Sequence, residues 1–324
     1  MNEIGVLVMA YGTASGPEDV ERYYADIRGG RPPSPEQLSD LRDRYAAIGN
    51  RFPLLDITRA QAEGIERELN EREPDDYIAY LGMKHSRPTI AEAVQRMTND
   101  EIERAVGIVM APHWSGMSVE TYVQRVREAA GGEGPAFAFV RSFHDEPDFV
   151  RFLADRVTDA IATIPEEARE ETTVIFSAHS LPVRTESDGT KRCKTCFAKE
   201  CDPSCRYRDG LRETAELVAA YAGVPEWTTA WQSAGRTSDP WWGPSIEDVI
   251  VDVARTGRKG VVVCSAGFVA DHLEVLYDLD IEARRIAEDA GLAFARTEMP
   301  NADAEFCRVL ARVVRQALVE EFGG

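Results

Sequence analysis

Apolar residues run along this chain in short continuous stretches that alternate with longer amphipathic ones. The short stretches are rich in Val, Ile and Ala, and they read as strands buried on both faces, the pattern of a parallel sheet covered by helices. Such strands are expected at residues 4–12, 77–83, 105–113, 136–143, 172–180, 227–233, 260–268 and 293–299. They form two groups of four with similar spacing. The predicted fold is therefore α/β, with two similar Rossmann-like domains, each a four-stranded parallel sheet flanked by helices. The expected division puts residues 1–148 and a returning C-terminal helix within 303–324 in the first domain, and 149–302 in the second. A length of 324 residues suits about two domains.

One amphipathic stretch departs from an ordinary surface helix. Residues 267–284 read GFVADHLEVLYDLDIEAR and set Glu274, Asp278 and Glu282 four residues apart, so a helix there stacks three carboxylates along one face. No Lys or Arg lies between Lys259 and Arg284 to offset their repulsion. The apolar row Leu273, Tyr277 and Ile281 sits about 100° around the axis, so the acids flank the buried stripe and are candidates for a cleft wall that passes a cation. The plainer reading makes Asp271 and Glu274 a capping box and leaves the other two acids solvated.

Composition narrows the function classes. With 44% hydrophobic residues the chain is globular, and its net charge of −19 repels nucleic acid and anionic membranes. An anionic ligand then needs a local basic pocket. No apolar stretch reaches about 18 residues, and the N-terminus shows neither a basic n-region nor a cleavage site, so a soluble cytoplasmic protein without a transmembrane segment is expected. The short tail after the last helix favours a monomer. No G-x-G-x-x-G follows a strand, and there is no P-loop or G-x-S-x-G elbow, which argues against dinucleotide oxidoreductases, NTPases and α/β-hydrolases.

In sheets of this kind, ligands bind beyond the carboxyl ends of the strands. His85, His113 and His179 fall at such ends, and His272 lies just past another. His179, in SAHSLP, is the leading candidate: an imidazole titrates near neutral pH and can accept a proton or bind a metal. Glu274, in the same expected domain, is the carboxylate to face it. The alternative is a histidine that only satisfies the following loop. Cys193, Cys196, Cys201 and Cys205 follow a C-x2-C-x4-C-x3-C spacing within the polar loop 190–208. In a cytosolic chain such a set points to metal ligation, by Zn or an iron–sulfur cluster. Its compactness, unlike a zinc ribbon's two separated knuckles, favours [2Fe-2S]. Cys264 and Cys307 read as core residues. Arg28 and Arg31 flank a Gly-Gly turn, and Arg44 precedes Tyr45. They are candidates to receive ligand carboxylates, or else ordinary surface ion pairs. Tyr11, Trp114 and Tyr122 offer an apolar wall, or plain core packing.

The motifs MAYGT (9–13), RDRYAAIG (42–49), LGMKH (81–85), APH (111–113), SAHSLP (177–182), WQSAG (231–235), DPWWGP (239–244) and GFVADHLEVLYD (267–278) run in order over almost the whole chain. Together they resemble the ferrochelatases, and look most like the soluble coproporphyrin type of Gram-positive bacteria, which has a tyrosine where Tyr11 stands. The resemblance implies a chelatase-like fold and insertion of Fe2+, as substrate, into coproporphyrin III to give coprohaem. It implies His179 and Glu274 as the catalytic pair in contact with the iron, and Asp278 and Glu282 as an approach path. Porphyrin contacts are implied at Tyr11, Arg28, Arg44, Tyr45 and Tyr122. Some ferrochelatases carry a [2Fe-2S] cluster near the cysteine loop, which strengthens that expectation. One position departs: the family's usual Ser-Pro-Leu is Phe52-Pro53-Leu54 here, and Phe52 has no hydroxyl to offer a propionate.

Iron insertion requires the ion to shed water and two pyrrole protons to leave, tasks that an imidazole and a facing carboxylate can divide. Rival readings are a protoporphyrin IX ferrochelatase, a cobalt chelatase acting on a sirohydrochlorin-like ring, a non-catalytic porphyrin or haem carrier, and a cysteine-cluster sensor on an α/β scaffold. A carrier needs an axial ligand such as Tyr11 but no opposed acid and base.

Overall fold

The computed structural model describes residues 3–71, 77–185, 191–193, 206–235 and 237–323. The first four strands are β1 (Ile4–Ala10), β2 (Tyr77–Met83), β3 (Arg104–Val109) and β4 (Ala136–Val140), in the order β2-β1-β3-β4. Next come β5 (Thr172–His179), a small antiparallel pair β6 (Val183–Thr185) and β7 (Lys191–Cys193), then β8 (Trp227–Gln232), β9 (Gly260–Cys264) and β10 (Ala293–Arg296). The second large sheet has the order β10-β9-β5-β8. Every pairing in the two large sheets is parallel. In each sheet the first strand lies between the second and the third, with the fourth outside the third, so the expected repeat of one topology is present.

The expected strands overrun their observed carboxyl ends: 4–12 stops at Ala10, 105–113 at Val109 and 260–268 at Cys264. The overrun is mostly small or apolar residues, with Tyr11 and His113 among them, that lie past the last ladder pairs. These segments carry the unusual side chains.

The main apolar cluster includes Val6, Val8 and Val106 of one sheet, Val174, Phe176 and Val262 of the other, and Phe149, Phe152 and Phe306 from helices. Phe306 lies 5.8 Å from Phe149 and 5.9 Å from Phe152, ring centre to ring centre. The final helix, Ala304–Phe322, packs back on the helix Leu54–Asn70 and on β3 and β4. Its start is fixed by Asp303, whose side chain accepts from the Glu305 amide at 2.8 Å. Gly64 permits that approach, because a Cβ there would run into the Cys307 sulfur. Cys264 and Cys307 are buried core residues, as expected. A separate small cluster of Ala14, Val20, Tyr23, Tyr45, Ile48 and Leu276, with Leu273, Tyr277 and Ile281 packed against it, joins the helices Val20–Ile27 and Pro35–Ala47 to the acidic segment.

Candidate active site

His179 is the last residue of β5. Its main-chain carbonyl accepts from the Tyr207 hydroxyl at 2.9 Å, and the next amide, Ser180, bonds to the Gln232 carbonyl at 2.8 Å. The imidazole Nδ1 contacts the Ser180 carbonyl. A carbonyl can only accept, so Nδ1 carries a proton and Nε2 is the nitrogen turned to the site. Nε2 lies 3.5 Å from Glu274 Oε1. Burial works against the charged imidazole, but the Glu274 carboxylate outweighs it and brings the His179 pKa up to about 8. Burial likewise opposes the charge on Glu274, and His179 reverses this, holding the carboxyl below its usual range. At neutral pH the two form an imidazolium–carboxylate pair.

Glu274 stands in a one-turn helix, Leu273–Leu276, whose N-cap is His272. The His272 Nδ1 accepts from the Glu274 amide at 3.1 Å. The expected cap, Asp271, is engaged elsewhere: it pairs with Arg296 at 3.3 Å and accepts from Asn301 Nδ2 at 2.8 Å. The regular α-helix expected beyond Glu274 is also corrected. Residues Asp278–Ala283 form a π-helix, in which the Glu282 amide bonds to the Tyr277 carbonyl, five residues back, at 3.0 Å. A wider turn leaves residues four apart slightly short of one revolution instead of slightly past it, so Glu274, Asp278 and Glu282 still share a face.

Asp278 is only 4% exposed. Its Oδ2 accepts from Ser233 Oγ at 2.5 Å, and its buried Oδ1 has no hydrogen bond, with Arg44 Nη1 3.8 Å away. Burial first, then the charge of Glu274, push its pKa up to about 7. Arg44 also reaches Asp40 at 3.5 Å and lies over the Tyr277 ring at 5.2 Å. It therefore serves the acidic row. Arg28, by contrast, has no ion-pair partner among the described residues, and its buried Nε has no hydrogen bond. Tyr11 is 43% exposed, its ring 4.6 Å from that of His85. Partial burial and then the Glu274 charge raise its pKa, and the same two causes act on Tyr45. Both tyrosines thus share the field of the acid. Tyr45 is buried and stacked on Phe52 at 4.4 Å. Tyr122 is also buried, with Lys84 Nζ 4.9 Å from its ring.

The other strand-end histidines have local duties. His85 pairs with Asp26 at 2.7 Å, and His113 bonds Thr214 at 3.0 Å while burial takes its pKa down to about 3. His144, Asp145 and Glu213 gather metal-type donors, but Glu213 already faces Arg206 at 3.5 Å. Cys193 is buried at the end of β7, and Cys196, Cys201 and Cys205 lie outside the described residues. Gln232 and Ser233 received no role from the sequence. Their signals were a place at a strand end and membership of the WQSAG motif.

A two-sheet frame holding a histidine and a glutamate at neighbouring strand ends invites comparison with known proteins. The fold is similar to two solved structures from Bacillus subtilis. The sirohydrochlorin chelatase SirB of subspecies spizizenii in complex with cobalt has a TM-score of 0.56 at 9% identity, covering 99% of this chain and 97% of that one. SirB with Fe3+ has a TM-score of 0.57 at 9% identity, covering 99% and 98%. In sequence, the chain is 46% identical over 319 residues to the coproporphyrin III ferrochelatase of Bacillus subtilis (strain 168), covering 98% of each. It is 42% identical over 318 residues to that of Listeria innocua serovar 6a, covering 97% of this chain and 98% of the relative. The Ferrochelatase family profile matches residues 3–318, and with relatives this similar along nearly their whole length, the chain belongs to the ferrochelatase family.

Proposed function

We propose that this protein inserts ferrous iron into coproporphyrin III, releasing the two pyrrole protons and forming coprohaem. The observation that carries the reading is the His179–Glu274 pair at 3.5 Å, partly open to solvent at the strand ends of a ferrochelatase-family chain. Curated relatives at 42–46% identity named as coproporphyrin III ferrochelatases support the choice of porphyrin.

In this reading Fe2+ enters along Glu282 and Asp278. Asp278, with a pKa of about 7, is easily stripped of its proton by a divalent cation. Glu274 is ionised and takes up the iron. Binding of the cation cancels the negative charge that holds the His179 proton, so the imidazole releases it to water at the open side of the cleft, and neutral Nε2 then accepts the two pyrrole protons one after the other, passing the first to water before taking the second. Tyr11 presents the exposed aromatic face to the macrocycle, with Tyr45 and Tyr122 packed behind the cleft wall. Arg28 is free to receive a propionate, whereas Arg44 reaches the substrate only by sharing its guanidinium with Asp40 and Asp278. The domain division at 1–148 with 303–324 and at 149–302, and a monomeric protein in the cytoplasm, belong to the same reading. Among the described residues no helix is long and apolar enough to cross a membrane.

A [2Fe-2S] cluster on Cys193, Cys196, Cys201 and Cys205 is proposed from residue type and spacing. The buried Cys193 thiol fits such a ligand set, and no step of iron insertion runs through the cluster. Visible absorption of the purified protein tests it, and a colourless zinc-loaded protein refutes it. Comparing turnover of coproporphyrin III and protoporphyrin IX tests the substrate. A preference for protoporphyrin IX refutes the assignment, and His179→Ala that still inserts iron at the wild-type rate refutes the catalytic pair.

A further inference from the structure

Gln232 ends β8, lies opposite His179 in the β5–β8 ladder, and is 1% exposed. Its main-chain carbonyl holds the Ser180 amide, next to the imidazole. Its side chain reaches the other half of the pair: Nε2 donates to the Glu274 carbonyl at 3.1 Å. The amide orientation is set by two buried hydroxyls. Ser177 Oγ at 2.7 Å and Ser265 Oγ at 3.2 Å both donate to Oε1, whose two lone pairs they fill. The –NH2 group is left to face Glu274, and a flip would turn both serine protons against it.

We infer that Gln232 is a positioning residue for iron insertion, one that fixes the separation of His179 and Glu274 by holding the strand end of one and the helix turn of the other. The inference rests on the proposed function. Serine satisfaction alone needs only an acceptor. Positioning needs the donor as well. Gln232→Glu separates the two, because a carboxylate still accepts from Ser177 and Ser265 but sets oxygen against the Glu274 carbonyl.

The test measures iron insertion into coproporphyrin III across pH for wild type, Gln232→Glu and Gln232→Met, together with crystal structures of the variants. The expected result for Gln232→Glu at pH 8 is a kcat about 10- to 100-fold below wild type with little change in the porphyrin KM. Relative to wild type, activity returns as the medium is acidified, since a protonated carboxyl donates again. Gln232→Met shows the loss without the return. The separation of His179 Nε2 and Glu274 Oε1 lengthens beyond 3.5 Å in both variants at pH 8. Gln232→Glu with wild-type kcat at every pH, or with the separation unchanged, overturns the inference. If wild type itself inserts no iron, the proposed function falls, and the crystallographic separation still decides the positioning role.

Discussion

Replacing Glu274 with Gln removes the charge that sustains the His179 imidazolium while keeping the size of the side chain. With Glu274 present, the imidazole pKa is about 8 against an ordinary 6.5, even though burial alone lowers it. Once the carboxylate is gone, burial is opposed only by the Ser180 carbonyl and the Asp278 charge, so the pKa falls from about 8. At pH 7 the protonated fraction, about 90% in the wild type, drops accordingly. The linkage follows from the sign of the shift. A histidine with a raised folded-state pKa stabilises the protein fully below about pH 6.5, and that stability is lost as pH rises through about 8. A shift of this size, discounted for water in the open cleft, amounts to roughly 1 kcal/mol. Nitrogen-detected NMR titration of the His179 ring reads the pKa directly, and denaturation in urea at pH 6 and pH 9 reads the linkage. A His179 midpoint unchanged in Glu274→Gln would refute the electrostatic account of the pair and the proton-release step built on it.

Asp278→Asn keeps an acceptor for Ser233 but loses the charge. Because the folded-state pKa of this aspartate is raised, the native carboxylate costs stability as pH climbs from about 4 to 7, so the variant should match wild type at pH 4 and exceed it at pH 8 in denaturant titrations. The same variant should raise the KM for Fe2+, and an unaltered iron dependence counts against the approach path. Arg28→Ala should weaken porphyrin binding, read by quenching of intrinsic fluorescence, by about tenfold for a lost charge-assisted contact; equal affinity means that the propionate lies elsewhere. Gly64→Ala forces a Cβ against Cys307 and should destabilise the fold by about 1–3 kcal/mol without altering the kinetics of the folded enzyme.

The alternation of strand and helix was legible because strands covered on both faces need continuous apolar runs, and the repeat of spacing revealed the repeat of topology. The neighbourhood of the strand ends was legible too, although the apolar runs overshot several of them, and His179 and Glu274, 3.5 Å apart in the structure, stood among the candidates there. The details of the acidic segment were not. An α-helix and a π-helix use the same apolar stripe over one turn, and only the Glu282 amide, bonding back to Tyr277, tells them apart. Asp271 has the spacing of a cap, but Arg296 and Asn301, distant in sequence, claim it. Arg44, a candidate to receive a propionate, reaches the distant Asp278 at 3.8 Å as well as its helix neighbour Asp40 at 3.5 Å. Such choices are made by partners that no local window contains.

The small apolar cluster around Tyr23, Tyr45 and Leu276 stands apart from the main core that runs between the sheets. The strand ends that carry His179 and Gln232 therefore share the fate of the whole molecule, whereas the helices Val20–Ile27 and Pro35–Ala47 rest on contacts that can be broken on their own. Lip and floor of the cleft thus have separate stabilities. Substitutions at Tyr23, Tyr45 or Leu276 therefore loosen the lip of the cleft before they touch the frame that holds its floor.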